Sequence, residues 1–237
     1  MAGDTDALVH VVVAEVDRPP GAWTCLEPFE LARIERLQRA DDRAAFAMAH
    51  GLARRLAARF AGVSLNDIHI GYGATGQPRF EPPLARLALS LSHARRMVAV
   101  VIGADVEVGI DVETLDRAAP EAAVLAQVLS CAEQDEIASL DTDAARPVRF
   151  MRFWTAKEAI VKATGEGIAT RELADINLAG TATALSDLAT RAGLAGRWHL
   201  EINATADSVW SLAVRHRSAA CRVIRHDIAA LLAEPAS

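Results

Sequence analysis

Cysteine is scarce in this chain: Cys25, Cys131 and Cys221 are its three, far apart and without a C-x-x-C pair. An odd, sparse set argues against a disulfide framework and fits a reducing cytosol. Long apolar runs are missing too. Leu8 to Val16 is too short to span a bilayer, and acidic Asp4 and Asp6 precede it where a signal peptide carries basic residues. A cytoplasmic protein with no membrane partner is expected. Nor is there a basic excess, since Lys and Arg number 25 against 31 Asp and Glu, a net charge of −6. Duplex nucleic-acid binders gather Lys and Arg into strongly basic domains, so no nucleic-acid partner is expected either. G-x-x-x-x-G-K-[ST], H-E-x-x-H, G-x-S-x-G and Cys/His zinc spacings are all absent. Gly71-Tyr72-Gly73-Ala74-Thr75-Gly76 matches G-x-G-x-x-G, but Gln77-Pro78 follows where a dinucleotide site needs a helix N-terminus.

What is there is a chain of 237 residues, 51% apolar, enough for one large domain or two small ones. Arginines cluster at Arg33, Arg36, Arg39 and Arg43, then Arg54, Arg55 and Arg59, patches suited to an anionic ligand or an acidic partner. Leu8 to Val16 is β-branched and reads as a buried strand. Leu31 to Phe60 has helical spacing broken near Asp41 and Asp42. It reads as two helices, the second capped by one of these aspartates and ended by Gly62. Asn66 to Tyr72, Leu87 to Ser92, Met97 to Ile102 and Val106 to Glu113 read as strands, with Met97 to Glu113 forming a hairpin about Gly103-Ala104-Asp105. Pro120 to Leu140 reads as one helix, and Val148 to Thr164 as another closed by Gly165. Strands at Trp198 to Ile202 and Val209 to Val214 and a short helix at Ile228 to Leu232 complete the chain. Strand, helix, strands occur twice, which predicts an α+β fold of two related halves, 1–104 and 105–237, with a single mixed domain as the alternative.

Three local patterns carry chemistry. In Gly109-Ile110-Asp111-Val112-Glu113, strand alternation puts Asp111 and Glu113 on one face and Ile110 and Val112 in the core. Adjacent carboxylates repel unless a cation lies between them, and such hard oxygens suit Mg²⁺; a solvated strand edge is the plainer alternative. In Phe153-Trp154-Thr155-Ala156-Lys157-Glu158-Ala159-Ile160-Val161-Lys162, Trp154, Glu158 and Lys162 follow one another along a helical face. A surface Glu-to-Lys pair explains that spacing as readily as a third carboxylate with phosphate-binding lysines. Leu89-Ser90-Leu91-Ser92-His93 ends a strand with a histidine able to donate to a phosphate, though a lone histidine there is more often structural.

In this order and spacing, S-H, G-I-D-V-E and W-x-x-K-E-A-x-x-K resemble the phosphopantetheinyl transferase superfamily, in particular its larger Sfp-type members with the W/KEA variant. The resemblance runs from about Gly76 to Gly167 and is weaker over Asp41 to Phe60. It implies two similar α/β halves related by a pseudo-twofold axis, in a monomer that holds coenzyme A between them. The N-terminal half would bind coenzyme A, and the C-terminal half would carry the metal-binding acids. Asp111, Glu113 and Glu158 would bind Mg²⁺, with Mn²⁺ able to replace it. Lys157 and Lys162 would lie near the phosphates. Ser92, His93, the Gly76-Gln77-Pro78 element, His50 and Arg54 would contact coenzyme A. Gln77 stands where lysine is common, and Ala94 where a second serine is frequent. The implied reaction moves 4′-phosphopantetheine from coenzyme A to a serine of an apo acyl or peptidyl carrier protein. Glu158 (with Glu113 second) is the expected base, and Lys162 the charge facing the leaving group. A metal-dependent phosphohydrolase and a non-catalytic coenzyme A or carrier binder are the alternatives.

Overall fold

The computed structural model describes residues 6–19, 23, 25–74, 76–115, 122–165, 173–180, 184–185 and 195–233. Strand β1 (Ala7–Glu15) is followed by α1 (Pro28–Arg36) and α2 (Ala40–Ala61), a ribbon of β2 (Ile70–Tyr72) and β3 (Pro78–Phe80), and a hairpin of β4 (Leu87–Ala94) and β5 (Met97–Ala104). Then come β6 (Glu107–Thr114), α3 (Ala122–Val128), α4 (Cys131–Ala138), α5 (Ala145–Thr164), β7 (Ala184–Leu185), β8 (Arg197–Ala204), β9 (Ser208–His216), β10 (Cys221–Arg225) and α6 (Ile228–Ala233). The fold is α+β.

Two four-stranded sheets form, in the orders β10-β1-β5-β4 and β6-β9-β8-β7. The antiparallel sets β1-β5-β4 and β6-β9-β8 have the same connectivity, while β10 joins β1 in parallel. Strand alternation sorts the core into layers. Val9, Val11, Ala99 and Val101 of the first sheet meet Val108, Ile110, Val112, Leu212 and Val214 of the second. On the outer faces, Val12, Val98, Val100 and Ile102 pack with Phe46, Leu52 and Leu56 of α2. Leu200, Ile202, Val209 and Ala213 pack with Phe153, Ala156 and Ile160 of α5. Each side chain so buried contributes about 1.5–3 kcal/mol, so helix, sheet, sheet and helix are held as successive layers.

Both long helices end as the sequence predicts, on glycines in the left-handed region, Gly62 at φ 66° and Gly165 at φ 70°. Four expectations need correction. Met97–Ala104 does not form a hairpin with the strand after it, because β5 already lies between β1 and β4 and has no free edge; the chain turns at Asp105 (φ 54°) and crosses to the other sheet. Helix α2 begins at Ala40 with Arg39 at its N-cap, so Asp41 and Asp42 lie in the first turn, where they favour the helix dipole without capping it. The helix expected over Pro120 to Leu140 is two, divided at Ser130, which forms a capping box with Glu133; Pro120 lies outside the described residues. The chain after β9 does not stay with residues 105–237 as one half. β10 extends the first sheet, and Leu231 of α6 enters the core beneath α2.

Candidate active site

Gly109 sets how closely α5 approaches β6. It shares a strand face with Asp111 and Glu113, and a Cβ there would strike the carbonyl oxygen of Ala159 and lie 2.6 Å from the Ala163 nitrogen. With no side chain in the way, the helix backbone rests on the strand. Thr155 Oγ1 and Ser211 Oγ share a hydrogen bond of 2.7 Å that also ties α5 to β9. Glu158 and Lys162, one turn apart, are thereby brought to Asp111. Lys162 Nζ donates to Asp111 Oδ1 at 2.6 Å and to the Ile110 carbonyl at 3.1 Å. Its partner is therefore the strand carboxylate, not Glu158 as a simple helical pair would have it.

The second wall is the edge of β4. Its serine hydroxyls reach the backbone of β6: Ser90 Oγ accepts from Ile110 N–H at 3.1 Å, and Ser92 Oγ accepts from Val112 N–H at 3.4 Å. Ser92 Oγ donates to Asp111 Oδ1 at 2.8 Å. Asp111 and Glu158 are each 5% exposed. Asp111 Oδ2 and Glu158 Oε1 have no hydrogen-bond partner although both atoms are buried. Such oxygens are costly unless a cation or proton meets them. The Glu158 carboxyl responds by rising to about 7, through burial first and Asp111 next, with Lys162 opposing and Glu113 adding a smaller push. Glu113 is half-buried on the same strand face.

Among the described residues, no three His, Cys, Asp or Glu side chains are gathered closely enough to hold a metal ion as they stand. The two unpaired carboxylate oxygens nevertheless fit a hard divalent cation, and Glu113 is positioned to add a third acid.

The N-terminal half contributes a different chemistry. His93 is exposed at the end of β4; partial desolvation lowers its pKa, Asp42 opposes this, and Lys162 and Arg33 add to the lowering, so it shares a field with residues of three helices. Arg33, which the motif reading did not single out, lies 5.1 Å from the ring of Tyr72 and 5.5 Å from that of Phe46. Gly76-Gln77-Pro78 turns the ribbon that carries Tyr72, with Gly76 at φ 82° and Gln77 exposed.

Four expected coenzyme A contacts are committed elsewhere. His50 is buried and its pKa is lowered to about 3, chiefly by desolvation. As a neutral ring it donates from Nδ1 to the Phe46 carbonyl at 2.9 Å and accepts at Nε2 from the Tyr72 hydroxyl at 2.9 Å, so it offers no charge to a phosphate. Arg54 is fully buried against Glu30 (2.8 Å) and Glu27 (3.1 Å). Lys157 is fully buried on another side of α5 from Lys162, donating to Glu133 at 2.5 Å and the Val128 carbonyl at 2.7 Å. The Ser92 hydroxyl donates its hydrogen bond to Asp111 Oδ1. Spacing alone could not separate Lys157 from Lys162, since it does not reveal which acid folds against which face. Gly109 and Ser90 also escaped notice as working parts. A glycine inside a strand was the available signal for a close approach.

Comparison with known proteins shows the family. The model of the 4′-phosphopantetheinyl transferase superfamily matches residues 107–221, a stretch that includes β6 and α5. The 4′-phosphopantetheinyl transferase HetI of Nostoc sp. (strain PCC 7120) is 31% identical over 188 residues, 77% of this chain and 78% of that protein. The 4′-phosphopantetheinyl transferase AcpT of Escherichia coli (strain K12) is 35% identical over 94 residues, 40% of this chain and 47% of AcpT. The chain belongs to the 4′-phosphopantetheinyl transferase superfamily.

Proposed function

We propose that this protein transfers 4′-phosphopantetheine from coenzyme A to a serine of an apo acyl or peptidyl carrier protein, releasing adenosine 3′,5′-bisphosphate. The observation that carries the reading is the meeting of Asp111, Glu158 and Lys162 around two buried carboxylate oxygens that lack partners, in the region matched by the family model. Asp111, Glu113 and Glu158 would hold Mg²⁺, or Mn²⁺ in its place. When bound, that ion supplies positive charge to offset the pyrophosphate and align it for in-line attack.

The remaining work falls to the chain's own side chains. The serine oxygen forms a bond to the phosphorus bearing the pantetheine arm, and the bond from that phosphorus to the bisphosphate leaving group breaks. Glu158 takes the serine proton as the general base. Glu113 is the second choice for that role. Lys162 offers its ammonium to the charge gathering on the leaving group. His93 and Arg33, on the opposite wall, supply donors for the outer phosphates, with the Gly76-Gln77-Pro78 turn beside them.

The repeated strand connectivity supports the pseudo-twofold relation of the halves. The sparse, unbridged cysteines support a cytoplasmic setting, and a monomer is the reading for oligomeric state. The names of the relatives support neither a phosphohydrolase nor a non-catalytic binder.

The test mixes the protein with Mg²⁺, coenzyme A and a panel of apo carrier proteins, each then weighed as an intact chain. The expected result is a mass gain equal to phosphopantetheine, lost in Asp111→Asn. Release of bisphosphate from coenzyme A without any carrier would turn the reading to a hydrolase. Coenzyme A binding with no gain on any carrier would overturn the transferase reading.

A further inference from the structure

Strand β6 is an edge strand, and the N–H groups of Ile110 and Val112 point away from β9 towards β4. An ordinary ladder would require β4 to offer carbonyls there. β4 offers hydroxyls instead, from Ser90 and Ser92, which are 6% and 9% exposed. The two sheets are thus clasped edge to edge by side chains, and the two clasps differ. Ser90 meets only backbone in that contact, whereas Ser92 reaches both the backbone of β6 and the carboxylate of Asp111.

We infer that Ser92 is a positioning residue for Asp111, not a contact to the substrate's phosphates. A serine hydroxyl has one proton to donate, and Ser92 donates it to Asp111 Oδ1 at 2.8 Å. Lys162 approaches the same oxygen from α5 at 2.6 Å. With Oδ1 held from β4 and from α5, Oδ2 is the oxygen left without a partner, and it is the one turned over to a cation. The clasp therefore couples the seam between the halves to the aim of a single carboxylate oxygen. The step rests on the metal-holding role given to Asp111 above.

Partners that orient a metal-binding carboxylate commonly matter by about 10–100-fold in metal affinity or activity. Mn²⁺ binding to the free protein, followed by the loss of the free-ion paramagnetic resonance signal, reads this without turnover. Ser92→Ala should weaken Mn²⁺ binding by about 10-fold and lower kcat comparably, while KM for coenzyme A changes less than about twofold. Ser92→Thr, which keeps the hydroxyl, should restore both. Ser90→Ala removes the neighbouring clasp and should lower thermal stability with Mn²⁺ affinity unchanged, which separates aim from folding.

A raised KM for coenzyme A in Ser92→Ala with unchanged Mn²⁺ affinity would return Ser92 to the phosphates and overturn the inference. Equal Mn²⁺ affinity in Ser92→Ala and the wild type would overturn it as well, and so would an equal loss of affinity in Ser90→Ala. If the wild type binds Mn²⁺ and Ser92→Ala binds it weakly, but no carrier is modified, the transferase reading fails and the role of Ser92 stands. A wild type that binds no Mn²⁺ overturns both.

Discussion

The two halves solve the same packing problem with the same parts and then diverge at one edge. Each sets a short capped helix beside its long one. In each, a buried glutamate of the short helix's first turn receives a cation from the long helix: Glu30 takes Arg54, and Glu133 takes Lys157. Both cations stand eight residues before the glycine that ends their helix. One position further on, the halves part. The first has Arg55, which donates to the Leu231 carbonyl of α6; the second has Glu158, which lies by Asp111. The strands explain why. β1 contains no glycine, α2 lies over β4 and β5, and the outer edge of β1 is closed by β10. β6 has Gly109, so α5 rests on it, and its outer edge is met by no strand ladder among the described residues but by the serine clasps of β4 and by Lys162. The unmet carboxylate oxygens lie where the repeated architecture is left open, and the half that closes the same edge with a strand ties Arg55 to α6 instead.

The sharpest way to break this contrast is Glu158→Gln. Transfer should fall by about 10²–10⁴-fold with the far-ultraviolet spectrum unchanged, while Arg55→Gln should alter it by less than about tenfold. Comparable losses in both variants would end the division of labour.

Next in size are the shared ion pairs. Lys157→Met and Arg54→Met each strand a buried glutamate and should cost about 3–5 kcal/mol in urea unfolding. The doubly apolar Lys157→Met/Glu133→Leu should recover only part of that loss, because Glu133 also accepts from the Ser130 and Leu178 N–H groups. A large cost in one half and none in the other would show that the device is not truly shared.

The pH profile should also carry the mark of Glu158. Because the Glu158 carboxyl sits near 7, above its usual 4.5, the folded chain holds this proton more tightly than the unfolded chain does. Its contribution to stability is fully present below about pH 4.5 and is lost as pH rises through 7, an effect on the order of 3 kcal/mol. Unfolding without divalent ions, compared between wild type and Glu158→Gln, should show that slope disappear in the variant. The slope should survive in Arg55→Gln.

The smallest effects compare glycines. Gly109→Ala must push α5 off β6 and should cost about 1–3 kcal/mol together with activity. At Gly62, whose φ is 66° and where a Cβ meets nothing within 4 Å, alanine should cost about 1 kcal/mol and spare activity. Differential scanning calorimetry and the carrier-mass assay would register both.

Much of this is legible in the sequence. Two helices within Leu31 to Phe60 and one over Val148 to Thr164 followed from periodicity and their closing glycines, and the strands Leu87 to Ser92, Met97 to Ile102 and Val106 to Glu113 from apolar runs and alternation. Asp111 and Glu113 were put on one face by the two-residue period of a strand, and Glu158 and Lys162 on one face by the four-residue step of a helix. Those are local regularities, set by backbone stereochemistry within a few residues. The partners of each face were another matter. That β5 had no edge left for β6, that β10 would return to β1 from the far end of the chain, and that Lys157 would turn to Glu133 while Lys162 turned to Asp111 all depend on contacts distant in sequence. Such pairings are chosen by which buried charges and unpaired backbone groups the whole fold can satisfy at once. The sequence by itself determined most of the elements, the acids and their order; only the tertiary structure decided which serine hydroxyl holds Asp111, which lysine reaches it, and which carboxylate oxygens remain unmet.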